Sequence, residues 1–134
     1  MDTVQFGYHL TLDLYGCEEA PLNNMQYCYR VIEKLVPALG MHSLISPIII
    51  STDGNETKGG KDPGGFSGFV IIQESHISLH TFVRRGFVSI DVYSCKNGLN
   101  VKTIINYFKK AFSLKDTEVN FIKRGTRYPA QNIA

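Results

Sequence analysis

Few side chains in this sequence have a type and spacing that could do chemistry, and each has a plain alternative. His76 and His80 suggest a metal pair. Both fall in an alternating apolar stretch, however, where four residues at roughly 3.3 Å each put them about 13 Å apart, too far to share one ion. Taken singly, each reads as a surface or satisfied strand histidine. The run Gly59-Gly60-Lys61-Asp62-Pro63-Gly64-Gly65 lacks the Lys-Ser/Thr pair and the following apolar helix of a phosphate loop, so it reads as a linker and not a nucleotide cradle. Asn55-Glu56-Thr57 fits a glycosylation acceptor, yet Met1 to Tyr8 has neither the basic region nor the apolar core of an export signal. Cys17, Cys28 and Cys95 are an odd set without close pairing, which suits free thiols in a reducing compartment. A free cysteine is most often a small buried hydrophobe.

The elements that must position these groups follow from periodicity. Over Phe6 to Tyr15, Tyr8, Leu10, Leu12 and Leu14 alternate with His9, Thr11 and Asp13, the pattern of a half-buried strand ended by Gly16. Asn23 or Asn24 can cap a helix with the stripe Met25, Cys28, Ile32, Leu35, Val36 and Leu39, stopped by Gly40 and kinked or shortened by Pro37. Leu44 to Ile50 reads as a short strand. Residues 51–65 hold five of the 12 glycines and no large apolar side chain, which predicts a flexible loop. Strands near 66–74, 76–83 and 86–95 form a meander, the last two joined by a turn at Arg84, Arg85 and Gly86. Asn100 caps a second helix with Val101, Ile104, Ile105, Phe108 and Phe112 on one face. Thr117 to Lys123 closes the sheet, and Gly125 to Ala134 is a polar tail. The order predicts an α+β, two-layer α/β sandwich: a mostly antiparallel sheet covered on one face by two helices.

Composition limits what such a domain can be for. With 134 residues, 43% of them hydrophobic, the chain is one domain able to bury a core. A net charge of +2 from 14 basic and 12 acidic residues gives no field for a phosphate backbone, so no nucleic-acid partner is expected. No apolar run approaches the roughly 20 residues that cross a bilayer, so no membrane partner is expected either, and the reading is a soluble, cytoplasmic protein.

One stretch changes the weighting of the lone residues. It runs Gly68-Phe-Val-Ile-Ile-Gln-Glu74-Ser75-His76-Ile-Ser-Leu-His80-Thr81 and continues through Asp91-Val92-Tyr93-Ser94-Cys95. This resembles the prokaryotic-type pyruvoyl-dependent S-adenosylmethionine decarboxylases. Their pattern has Ser-Gly before an apolar strand, Glu-Ser-His at a self-cleavage point, His-Thr soon after, and Asp-Val-Phe-Thr-Cys ending the next strand. Here these are Ser67-Gly68, Glu74-Ser75-His76, His80-Thr81 and Asp91 to Cys95; His9-Leu10, Asp13 to Cys17 and Ile122 to Gly125 match as well. The resemblance implies a proenzyme cleaved between 74 and 75. In it the Ser75 hydroxyl attacks the Glu74 carbonyl, and His80 removes the Ser75 Cα proton. Ser67 positions the ester, and position 75 becomes a pyruvoyl group, with neither metal nor PLP. That group forms a Schiff base with the substrate amine, and Cys95 is implied as the acid that protonates the substrate α-carbon. Strand alternation places Cys95 with Tyr93, Asp91 and Ser89 on the more polar face, which weakens its purely structural reading. The partners implied are a small amino-acid-type substrate and a second copy of the chain, since the family pairs the sheets of two protomers.

Two departures bear on substrate. Where the family has a carboxylate for the ribose hydroxyls, this chain has Arg84, which cannot accept their protons. Where the family places an aromatic against adenine, counting back from Pro63 gives Lys61; Phe66 is the nearby aromatic that could serve instead. The leading expectation is a self-processing S-adenosylmethionine decarboxylase of polyamine biosynthesis. Its alternatives are a pyruvoyl-dependent ornithine or arginine decarboxylase, and an unprocessed relative that binds or regulates an active subunit.

Overall fold

Leu10, Leu12 and Leu14 are fully buried and the residues between them are not, so Gly7–Tyr15 forms a strand, β1, with one face in the core. The structure, a computed structural model, describes residues 5–95 and 99–128. After Gly16, in the left-handed region at φ +66°, comes a single helical turn, α1 (Glu19–Leu22), that the periodicity did not reveal. The second helix, α2 (Met25–Ala38), starts where the Asn24 side chain accepts from the Tyr27 N–H at 3.0 Å. It buries Cys28, Val31, Ile32, Leu35 and Val36 and ends one residue beyond Pro37.

The strand expected at Leu44 to Ile50 is in fact two, β2 (His42–Ser43) and β3 (Ile48–Thr52), both antiparallel to β4 (Gly65–Gln73). Ser43 faces Ile72 and Ile48 faces Phe69, so residues 44–47 oppose only residues 70 and 71, and the surplus leaves the ladder. Pro47, which has no N–H to give, falls in that excursion. Because β3 takes Ser51 and Thr52 and β4 takes Gly65, the linking loop is 53–64 and not 51–65. It contains a 3₁₀ turn at Glu56–Lys58, closed by Asn55 N–H and Glu56 N–H to the Asp62 carbonyl and by Asp62 N–H to Asn55 Oδ1.

The meander follows as β5 (Ser75–Phe82), a 3₁₀ turn at Val83–Arg85 and β6 (Phe87–Ser94). Asn100 then caps α3 (Val101–Phe112), its side chain accepting from the Thr103 N–H at 3.0 Å, and β7 (Asp116–Arg124) returns along β1. Of the polar tail, residues 129–134 lie outside the described residues. The strand order is β2-β4-β5-β6-β1-β7, with β3 also on β4, and every pairing is antiparallel.

The two faces of the sheet differ. One packs Leu10, Leu12, Leu14, Val70, Ile72, Ile77, Leu79, Val88, Ile90 and Val92 against α2 and α3, with Ile32, Leu35, Ile104, Phe108 and Phe112 from the helices. The other carries His9, Thr11 and Asp13 of β1, Ser67, Phe69 and Ile71 of β4, His76, Ser78 and His80 of β5, and Ser89, Asp91 and Tyr93 of β6, all partly or fully exposed. Among the described residues nothing covers that second face. Nor, among them, is any helix long and apolar enough to cross a membrane.

Candidate active site

Register on the open face decides which polar residues meet. In the β4–β5 hairpin Ile72 faces Ser75 and Ser67 faces His80, leaving Gln73 and Glu74 as the tip. Ser75, just past the tip, is half-buried and held at φ +101°, a region L side chains rarely enter and one that costs on the order of 1–3 kcal/mol. Beside it ends β6, and Cys95 Sγ donates a hydrogen bond to Glu74 Oε2 at 2.8 Å. Burial pushes the Cys95 thiol up to about 11, with the Glu74 hydrogen bond and charge adding to it; a hydrogen bond with Ser75 acts in the opposite sense. The thiol is therefore protonated at neutral pH. Cys17 and Cys28 are buried, and burial alone raises them to about 11 and about 12.

The second pair lies down the same hairpin. His80 Nδ1 and Ser67 Oγ share a hydrogen bond of 2.9 Å across the ladder. Five residues of strand separate His80 from Ser75, about 16 Å at roughly 3.3 Å per residue. Within one chain, then, Glu74, Ser75 and Cys95 come together and Ser67 and His80 come together, but the two groups do not meet. A direct role for His80 at the Ser75 Cα of its own chain is incompatible with this spacing.

Between the two groups runs a polar row that sequence reading did not identify as a unit. His9 Nε2 and Asp91 Oδ1 are 2.9 Å apart, and Ser78 Oγ donates to Asp91 Oδ2 at 3.3 Å. The rings of His9 and His76 both pack on Tyr93, at 5.8 and 5.7 Å between centroids, and the Arg124 guanidinium lies 4.6 Å over the Tyr93 ring. Alternation alone could assign His9 and Asp91 to polar faces of their strands. That those strands are neighbours is set by the long-range pairing of β6 with β1, which no local pattern encodes. His76 pairs with Tyr93 and His80 with Ser89, so the two imidazoles sit on separate rows, as their spacing predicted.

Of the residues singled out for substrate contact, Arg84 and Phe66 line one hollow of about 320 Å³, with Thr52, Pro63, Gly64 and Glu19. Phe66 also packs on the core, and Lys61 lies outside the lining. Arg84 is not a lone cation: its Nη2 is 3.5 Å from Glu56 Oε2, and Arg85 holds the other oxygen of the same carboxylate. Glu56 comes from the 53–64 loop, so that loop supplies a carboxylate shared by Arg84 and Arg85. Nothing in the sequence joined these positions, 28 residues apart, before the β3–β4 loop was seen folded back on the β5–β6 turn.

Residues 8–125 match the model of a family described as S-adenosylmethionine decarboxylase. Among curated proteins, the S-adenosylmethionine decarboxylase proenzyme of Clostridium botulinum (strain Loch Maree / Type A3) is 34% identical over 119 residues, 89% of this chain and 94% of that one. The protein of the same description from Clostridium kluyveri (strain ATCC 8527) is 32% identical over 122 residues, 90% of this chain and 88% of that one. Among solved structures, the adenosylmethionine decarboxylase from Aquifex aeolicus shares the fold with a TM-score of 0.74 at 23% identity, covering 90% of this chain and 92% of that one. An antiparallel sheet with one helical layer is the fold of that solved structure, and the family match runs over nearly the whole length: the chain belongs to the S-adenosylmethionine decarboxylase family, whose members are carboxy-lyases.

Proposed function

We propose that this chain is a proenzyme that cleaves itself between Glu74 and Ser75 and then decarboxylates S-adenosylmethionine, working as a homodimer whose two sheets face each other. The observation that carries the reading is the meeting of Glu74, Ser75 and the protonated Cys95 at the hairpin tip. Ser75 fits the origin of a pyruvoyl group: it is accessible, carries the required hydroxyl, and sits in a disfavoured backbone conformation that chain cleavage releases. Its Oγ adds to the Glu74 carbonyl, the C–N bond breaks with its proton passing to nitrogen, and an ester forms; loss of the Ser75 Cα proton then expels the carboxylate, and water hydrolyses the dehydroalanine left at position 75, releasing ammonia. Once formed, the pyruvoyl carbonyl supplies an electrophile for the substrate amine and a sink for the electron pair left behind by carbon dioxide. Cys95 gives its proton to the α-carbon.

The proton at Ser75 Cα needs a base, and a two-fold partner supplies one. An axis running across the strands at the level of Ser78, midway between positions 75 and 80, carries each His80 over the partner's Ser75, with Ser67 beside it. Three features favour this pairing. The open face exposes Ile48, Ile50, Phe69, Ile71 and Ile122, between 40% and 58% accessible, a patch that a small soluble protein rarely leaves uncovered. One end of that face carries Arg124 and the other Asp13, Glu118 and Asp116; the two-fold operation sets one end against the other. The Asp13 carboxyl is already raised by burial and by Glu118 and Asp91, so an opposing cation relieves it.

For substrate, Glu56 is shared by Arg84 and Arg85, so one carboxylate offsets part of the positive charge at the turn that replaces the family's carboxylate. Intact mass of the purified protein tests the reading: two fragments, the larger beginning at residue 1 and ending at Glu74, and a second lacking an amino terminus. Carbon dioxide release is then measured from S-adenosylmethionine, ornithine and arginine supplied singly. One uncut mass would favour a non-catalytic partner, and release from ornithine or arginine alone would reassign the substrate.

A further inference from the structure

Glu74 enters the processing step only through its main-chain carbonyl, yet its side chain is turned to the thiol at the end of β6. Cys95 Sγ donates to Glu74 Oε2 at 2.8 Å, and Ser75 stands between the two in sequence and beside them in space. We propose that Glu74 is a positioning residue for Cys95: its carboxylate aims the S–H bond and drives the sulfur back to the thiol after each proton is donated. This rests on the reading of Cys95 as the proton donor.

The proton balance needs only water. When the substrate α-carbon is protonated, the S–H bond breaks, a C–H bond forms, and the electron pair stays on sulfur. The thiolate so formed stands at hydrogen-bond distance from a carboxylate, and the repulsion of the two negative charges favours its protonation from water, with hydroxide passing to the solvent. A lingering thiolate would also be a nucleophile beside an electrophilic carbonyl, and its suppression protects the centre. On the same face the neighbouring ionisable groups are Tyr93 and His76, one row away, and Arg124, which is drawn over the Tyr93 ring at 4.6 Å. Burial works in the same direction as Glu74, and the Ser75 hydroxyl and the Cys95 main chain work against it. Glu74 is exposed, so its replacement removes a charge without opening the core.

The test uses the uncut Ser75→Ala protein, where no pyruvoyl group complicates the readout. Alkylation of Cys95 by iodoacetamide is followed against pH by peptide mass, with Glu74 intact or changed to Gln or Ala. Both changes should lower the midpoint of the profile by about one pH unit or more. A midpoint that stays in place with both variants, each checked for folding by circular dichroism, overturns the proposal. The underlying reading fails separately: processed Cys95→Ala that releases carbon dioxide at the parent rate would remove Cys95 as proton donor, whatever the alkylation profile shows.

Discussion

Ser75 combines a reactive side chain with a backbone that resists an L residue, and the two properties can be separated by substitution. Ser75→Gly and Ser75→Ala both lack the hydroxyl, so both should remain uncut. Only glycine enters φ +101° freely, so the glycine precursor should be the more stable by about 1 kcal/mol, read as a higher denaturation midpoint. Equal stability would mean that the backbone at Ser75 is unstrained. His80→Ala should stall at the ester, because the acyl shift needs no base at Ser75 Cα while the elimination does; hydroxylamine should then cut the stalled chain at 74–75. At this scale the sequence was informative about types and silent about partners. Ser75, His80 and Cys95 stood out in the Glu-Ser-His pattern and its flanks, but the 16 Å between Ser75 and His80 follows from strand geometry. The Glu56 contact with Arg84 and Arg85 depends on how a loop without periodicity folds back.

The elements were legible where a period or a cap wrote them. Leu10, Leu12 and Leu14 gave β1 its inner face, and Asn24 and Asn100 each accept from the backbone N–H three residues on, starting α2 and α3 where the stripe begins. The break between β2 and β3 falls at Ser46-Pro47 inside an otherwise apolar run, and composition cannot show that four residues must face two. The helical layer owes its hold on the sheet to a few fully buried side chains, of which Phe108 and Phe112 are the largest. Phe108→Ala should therefore cost about 3–5 kcal/mol, measured by chemical denaturation of the uncut Ser75→Ala protein. A loss below about 1 kcal/mol would show that α3 contributes little to the core. Gly68 tells the same story from the sheet side, since a Cβ there would meet Ile32 Cδ1 at 2.9 Å, so α2 rests directly on β4.

At the scale of the whole molecule, a sheet with one covered face accounts for the division of the site. The covered face gives stability; the open face holds the Ser75–Cys95 tip at one level and the His80–Ser67 pair at another, and in the dimer we propose a second chain running the opposite way brings them together. Analytical ultracentrifugation at micromolar concentration should show a dimer, and adding charge to its apolar patch, as in Phe69→Glu, should give a monomer that no longer processes. The most direct test of the two-chain site is complementation. His80→Ala chains keep Ser75 but lack the base, and Ser75→Ala chains keep His80 but have nothing to cleave. Unfolded together and refolded as a mixture, with the His80→Ala chain tagged, they should yield fragments of the tagged chain at 74–75, while neither variant refolded alone yields any. A tagged chain that stays uncut in mixed dimers, or that cleaves as well alone as in the mixture, would contradict the account.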